Sequence, residues 1–130
     1  MMRISREEET FIGRARPSLL GRYKVGFAKD GRITALDMFV ICNTGPYDAV
    51  GDAPTSGRIV SLLYQPPAMR WRGVTVMTNT PPRSAQSSPG GMQGIVIMET
   101  IISKAGRKLG LDQVAIRRVN CPAGKADFGP

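Results

Sequence analysis

The 130-residue sequence contains no histidine, two cysteines, and only one Trp, three Tyr and four Phe. Without histidine the chain cannot build a Ser-His or Cys-His nucleophile pair, or an imidazole-ligated metal site, from its own residues. Cys42 and Cys121 cannot complete a structural zinc site by themselves and read as reduced thiols. The few aromatics are scattered, so they form no stacking ladder for single-stranded nucleic acid. No apolar run approaches the ~20 residues of a membrane helix. The opening Met1-Met2-Arg3-Ile4-Ser5 lacks the apolar core of a signal peptide, and a cytoplasmic location is expected. What remains is chemistry carried by a bound cofactor or by residues outside this chain.

The residues present describe a folded domain. Hydrophobic residues make up 42% and charged residues 22%, outside the disordered range. The net charge of +8 attracts anions. Its arginines, among them Arg14, Arg16, Arg22, Arg32, Arg58, Arg70, Arg72 and Arg83, form no block. That dispersal disfavours nucleic acid and suits small phosphates and subunit contacts. A small basic module for nucleic acid or an acidic partner is the alternative function suggested by charge alone. Glu7, Glu8 and Glu9, adjacent near the terminus, read as a solvated face rather than as acid/base machinery.

Tyr23 to Phe27 alternates with period two, as a half-buried strand does. Asp30-Gly31 then marks a turn into Ile33 to Cys42, a hairpin signal. The apolar phase slips between Ile33 and Leu36, which predicts a bulge near Ala35 or a fully covered end to the second strand. A helix is expected from about Ala53 to Tyr64, halted by Pro66-Pro67. Met69 to Met77 reads as a strand, with Arg70 and Arg72 on one face and Trp71 on the other. Met92, Ile95, Met98, Ile102, Ala105 and Leu109 form a helical stripe widened by Ile97 and Ile101, ended by Gly110. Asp112 is a candidate N-cap for a short helix carrying Val114, Ile116 and Val119. The expected fold is α+β: a small mixed, largely antiparallel sheet with one long helix (about 92–109) and two shorter helices packed on it.

The segment from Thr78 to Gly94 is rich in Pro, Ser, Gly and amides. Its prolines stiffen it, and it feeds Gly90-Gly91 into the start of the long helix. Free amides and the positive dipole end there suit an anion, and glycines let a ligand reach the backbone. A plain strand-to-helix turn uses the same residues. Ser84, Ser87 and Ser88 have no base to activate them as nucleophiles.

These elements and motifs resemble, in order, part of the molybdopterin-binding large subunit of the xanthine dehydrogenase/aldehyde oxidase family, the molybdenum hydroxylases. The likeness rests on Arg22-Tyr23-Lys24-Val25-Gly26-Phe27, on Gly31-Arg32-Ile33, and on Thr78-Asn79 followed by Pro81. Gly90, Gly91, Gln93 and Gly94 match the family's Gly-Gly-x-Gln-Gly. Arg117-Arg118-Val119-Asn120, Gly124 and Phe128-Gly129 match the tail. The likeness covers nearly the whole chain.

The resemblance implies that residues 1–130 are a single partial domain, similar to the C-terminal part of the first molybdopterin cofactor-binding domain. It implies a molybdenum-pyranopterin cofactor, as molybdopterin or its dinucleotide, whose own sulfurs hold the metal, so no side chain here is a metal ligand. Cofactor-binding positions by this likeness are Ser84, Ala85, Gln86, Ser87, Ser88, Gly90, Gly91 and Gln93. Arg16 corresponds to a substrate-orienting arginine, with Arg14 as competitor. Ser87 stands where many members carry Arg, Gln86 where they carry Phe or Tyr, and Pro89 where Phe or Ala is common. The family's glutamate base and its other cofactor loops have no counterpart here. The expectation is therefore a fragment inactive alone, completed by the rest of its subunit, an iron-sulfur subunit and a flavin subunit, and acting on an aldehyde, N-heterocycle or purine. A truncated reading frame without function is the remaining alternative. A β-branched residue at Gly91 is expected to damage cofactor retention more than folding.

Overall fold

A computed structural model describes residues 2–8, 15–47 and 51–126; Arg14, Glu9 and Phe128-Gly129 lie outside the described residues. Strands β1 (Ser18–Phe27) and β2 (Ile33–Gly45) form the expected hairpin, β1 starting earlier than Tyr23 and β2 running on past Cys42. Gly31 turns the chain at φ +88, which a side chain would strain. Register runs Gly26 opposite Ala35 but Phe27 opposite Ile33, so Thr34 is an extra residue. That bulge resolves the phase slip, because it lets both Ile33 and Leu36 point into the core.

Helix α1 (Asp52–Tyr64) carries the chain over the sheet to β3 (Met69–Met77), which pairs parallel with β2. The three-stranded sheet has the order β1-β2-β3, one antiparallel and one parallel pair. Helix α2 (Gly91–Leu109) packs against α1 and β1, and α3 (Gln113–Arg118) closes the end. The expected caps form: Gly110 is left-handed at φ 69, and Asp112 accepts the Val114 and Ala115 amides at 2.9 Å. Those amides hold the Asp112 carboxyl below the usual carboxylate range. The core joins Leu36, Met38, Val40 and Cys42 of β2 to Val60 of α1, Met98 and Ile102 of α2, and Ile116 of α3.

The buried stripe of α2 differs from the apolar one. Gly91, Gly94, Met98, Ile102 and Gly106 are buried, whereas Met92 is 44% exposed and Leu109 37%. Glycine decides the difference, because α1 approaches this face too closely for a side chain. A Cβ on Gly94 would stand 2.8 Å from the Ser56 carbonyl oxygen, and one on Gly90 only 2.0 Å from that of Asp52. In α3, Ile116 is the buried position, and Val114 and Val119 face outward.

Two polar clasps fix the helices. Asn120, buried, takes the Ile33 amide at 2.8 Å and donates to the carbonyls of Gly31 and Ile116. Glu99 accepts from Arg117 at 2.7 Å and from the Tyr64 hydroxyl, tying α2 to both other helices. Replacing Gly94 by Val forces a branched side chain against Ser56 backbone, so denaturant titration is expected to give a loss of about 2–3 kcal/mol. Gly124→Ala, where an added Cβ meets nothing within 4 Å, is expected to stay within about 0.5 kcal/mol. An unchanged midpoint for the Gly94 variant contradicts the helix contact.

Candidate functional site

β2 and β3 end side by side, and a single asparagine organises the exit. Asn43 Oδ1 accepts from the Gly45 amide at 3.0 Å, the Thr78 hydroxyl at 2.7 Å and the Thr80 hydroxyl at 3.2 Å. Gly45, at φ +78, lies directly under the departing loop: a Cβ there would meet the Pro81 carbonyl at 2.8 Å. The loop is therefore pressed onto the end of the sheet, and Arg83 N–H donates to the Thr44 carbonyl at 3.0 Å.

A second segment joins it. Ala15 bridges Arg83 in parallel, with Ala15 N–H on the Pro82 carbonyl at 3.2 Å and Ser84 N–H on the Ala15 carbonyl at 3.4 Å. Side chains complete the seam. Arg83 Nη1 donates to the Arg16 carbonyl at 2.8 Å, Gln93 Nε2 to the Pro17 carbonyl at 3.2 Å, and Arg16 Nη1 to the Ser87 carbonyl at 3.3 Å. Residues far apart in sequence, Arg16, Ser87 and Gln93, thus meet at one place on the surface. Arg83 Nε and Gln93 Oε1 are buried there with no hydrogen-bond partner among the described residues. A buried donor and acceptor left unpaired are costly unless something else satisfies them.

The remaining expected site residues divide by exposure. Ala85, Ser87 and Ser88 are exposed, Ser84 and Gln86 are half-buried, and Gly90 and Gly91 are buried. The last two face α1, and a Cβ on Gly91 would stand 2.5 Å from Ser88 Oγ and 3.0 Å from Ile59 Cγ1. Their packing role reverses the order expected for a β-branched residue at Gly91: folding is now expected to suffer first. The Met92 amide is likewise used, bonded to the Ser88 carbonyl at 3.0 Å. The open part of the loop is Ser84 to Ser88.

Two of the described glutamates are already engaged. Glu99 is held in its clasp. Glu8 forms a reciprocal cap with Ser5, accepting its amide at 2.8 Å, which lowers the Glu8 carboxyl from its ordinary value. A groove of about 510 Å³ lies elsewhere, lined by Lys24, Asp37 and Arg70 among others, and no residue of the loop borders it. Among the described residues there is no group of three His, Cys, Asp or Glu side chains placed to hold a metal ion.

Sequence reasoning missed Arg83 and Asn43. Arg83 is the one charged residue between Thr78 and Gly94, a signal that it had a local task; Asn43 carried no signal beyond turn chemistry.

Comparison with known proteins defines the class. Residues 1–121 match the molybdopterin cofactor-binding domain family. Aldehyde oxidase 2 of Macaca fascicularis is 35% identical over 119 residues, covering 90% of this chain and 9% of that protein. Xanthine dehydrogenase/oxidase of Gallus gallus is 32% identical with the same coverage. The solved quinoline 2-oxidoreductase of Pseudomonas putida 86 superposes with a TM-score of 0.84 at 27% identity, over 91% of this chain and 16% of that one. The chain belongs to the xanthine dehydrogenase/aldehyde oxidase family of molybdenum hydroxylases and carries part of its molybdopterin cofactor-binding domain. It spans about a tenth of the length of the curated relatives it matches.

Arg83→Met, which removes the bond to the Arg16 carbonyl, is expected to release the Ala15–Pro17 segment. Hydrogen exchange at the Ala15 and Ser84 amides is then expected to accelerate roughly tenfold, a local opening, while β1–β2 amides keep their rates. Equal acceleration across the sheet contradicts a local seam.

Proposed function

We propose that this chain forms one wall of the molybdenum-cofactor site of a larger oxidoreductase and does not turn over alone. The observation that carries the reading is the convergence of Arg16, Ser87 and Gln93 around the buried, unpaired Arg83 Nε and Gln93 Oε1. A pterin bears both N–H donors and ring acceptors, so an unsatisfied donor and acceptor at one seam fit it. When bound, the molybdenum, held by the pterin's own sulfurs, supplies the redox centre for hydroxylating an aldehyde or N-heterocycle.

The chain's own residues then have distinct tasks. Ala85 to Ser88 offer backbone amides, and Ser84, Ser87 and Ser88 hydroxyls, at the surface of the loop. Gly90, Gly91 and Gln93 hold that loop at the helix start, with Gln93 Oε1 placed to accept a hydrogen bond and Arg83 Nε to donate one. The exposed Arg16 guanidinium, steadied by the Ser87 carbonyl, orients an electron-rich substrate atom. Glu8 and Glu99 are tethered elsewhere, and in this reading the base belongs to the rest of the subunit. Ser87 and Gln86, in place of a charged and an aromatic residue in many members, leave Arg16 as the charged group on the substrate side.

The rest of the large subunit, an iron-sulfur subunit and a flavin subunit complete the enzyme in this reading, which works in the cytoplasm on a small molecule. That the loop does not border the groove lined by Lys24, Asp37 and Arg70 supports walls contributed from elsewhere. The test is metal and pterin content of the chain assembled with the remainder of its subunit. Both are expected in stoichiometric amount, with Gln93→Leu losing most of them at unchanged assembly yield. An assembled protein with neither contradicts the proposal.

A further inference from the structure

The helices cover one face of the sheet, and the opposite face carries an ordered pattern. Strand register places Leu20, Ile41 and Val74 in one row across all three strands. Leu20 is 71% exposed and Val74 45%, so this aliphatic row is open to water at both ends. The next row on the same face, about 7 Å along the strands, is Arg22, Phe39 and Arg72, with the Arg72 guanidinium 5.3 Å above the Phe39 ring. The third row is Lys24, Asp37 and Arg70. Asp37 is the one carboxylate there, and it is already engaged by Arg70 at 2.5 Å and Arg72 at 4.0 Å.

An aliphatic row beside two rows of cations selects its partner by both terms. Burying the row favours an apolar surface, and the surplus cations favour carboxylates beside it. A second copy of this chain would bring arginine against arginine. Nucleic acid would leave the aliphatic row unused, and the ring on this face is capped by Arg72. We infer that this outer face docks an amphipathic segment of the remainder of the large subunit, aliphatic along its centre and carrying Asp or Glu on the side that meets Arg22, Lys24, Arg70 and Arg72. The identity of the occupant rests on the function proposed above. The chain's small share of its relatives' length leaves ample polypeptide to supply such a segment.

The chain, tagged, and the remainder of its large subunit are expressed as separate polypeptides, and the retained remainder is quantified and identified by mass spectrometry. Retention is expected to fall roughly tenfold or more in Leu20→Glu/Val74→Glu and in Arg22→Glu/Arg72→Glu, and to weaken at high salt. Val114→Glu, exposed on α3 away from this face, is expected to bind as the parent does. Thermal melts of Leu20→Glu/Val74→Glu are expected to match the parent, because both side chains are exposed; those of Arg22→Glu/Arg72→Glu are expected to fall slightly, because Arg72 leaves the Phe39 ring and Asp37, while the folded baseline is kept. Wild-type retention by both double variants overturns the inference. So does a dimer of the chain alone that Leu20→Glu/Val74→Glu dissociates, which assigns the face to a second copy. So does a duplex-DNA gel shift at low salt that is lost in Arg22→Glu/Arg72→Glu and indifferent to Leu20→Glu/Val74→Glu. Molybdenum content is read separately: face-dependent assembly without metal leaves the docking intact and removes the cofactor reading, and metal with face-independent assembly does the reverse.

Discussion

The starts of α1 and α2 touch backbone to backbone, and the position of everything around the loop follows from that contact. Gly90 and Gly94 leave no room for a Cβ against Asp52 and Ser56. Because interiors are close-packed, such a contact tolerates no added methyl without displacement. It fixes where α2 begins, hence where the loop from β3 must end. At the other end, Gly45 and the Asn43 hub fix where it leaves the sheet. The segment between is short, proline-stiffened and held at both ends, so its exposed middle is presented rather than left to wander.

The seam with residues 15–17 turns that presented loop into a site. Arg83 and Gln93 each spend one side-chain donor on it and keep a second polar atom buried and unpaired. Within a lone module that is a cost without return. Within an assembly whose cofactor or neighbouring segments meet those atoms, it becomes binding energy already oriented. The same logic holds on the far side of the sheet, where one carboxylate, Asp37, faces two rows of cations beside an exposed aliphatic row.

Local signals in the sequence were legible where one residue's chemistry decides an element's end. Pro66-Pro67 stopped α1, Gly110 and Asp112 bounded α2 and α3, and the phase slip at Ala35 marked the Thr34 bulge. The alternation of Arg70, Trp71 and Arg72 across β3 followed from pleat alone. The buried face of α2 was legible in part: Met98 and Ile102 lay on the apolar stripe and are buried, but apolar counting overlooks glycine, and Gly91, Gly94 and Gly106 are its other inward positions. Of the site, the loop was visible from composition and from its family motif. Its assembly was not: Arg16 and Ser87 are separated by 71 residues, and nothing local in either predicts that a guanidinium from one reaches a carbonyl of the other. Arg83 was overlooked as one more dispersed arginine, although its buried, unpaired Nε sets it apart.

The central claim is that Ser84 to Ser88 faces the molybdenum cofactor. Hydrogen exchange of the assembled subunit, compared with and without cofactor, tests it most directly. The account predicts slowed exchange at the amides of residues 84–88, with β1 and β2 unaffected. Identical exchange at those amides in the two forms, with protection arising elsewhere in the chain, would contradict it.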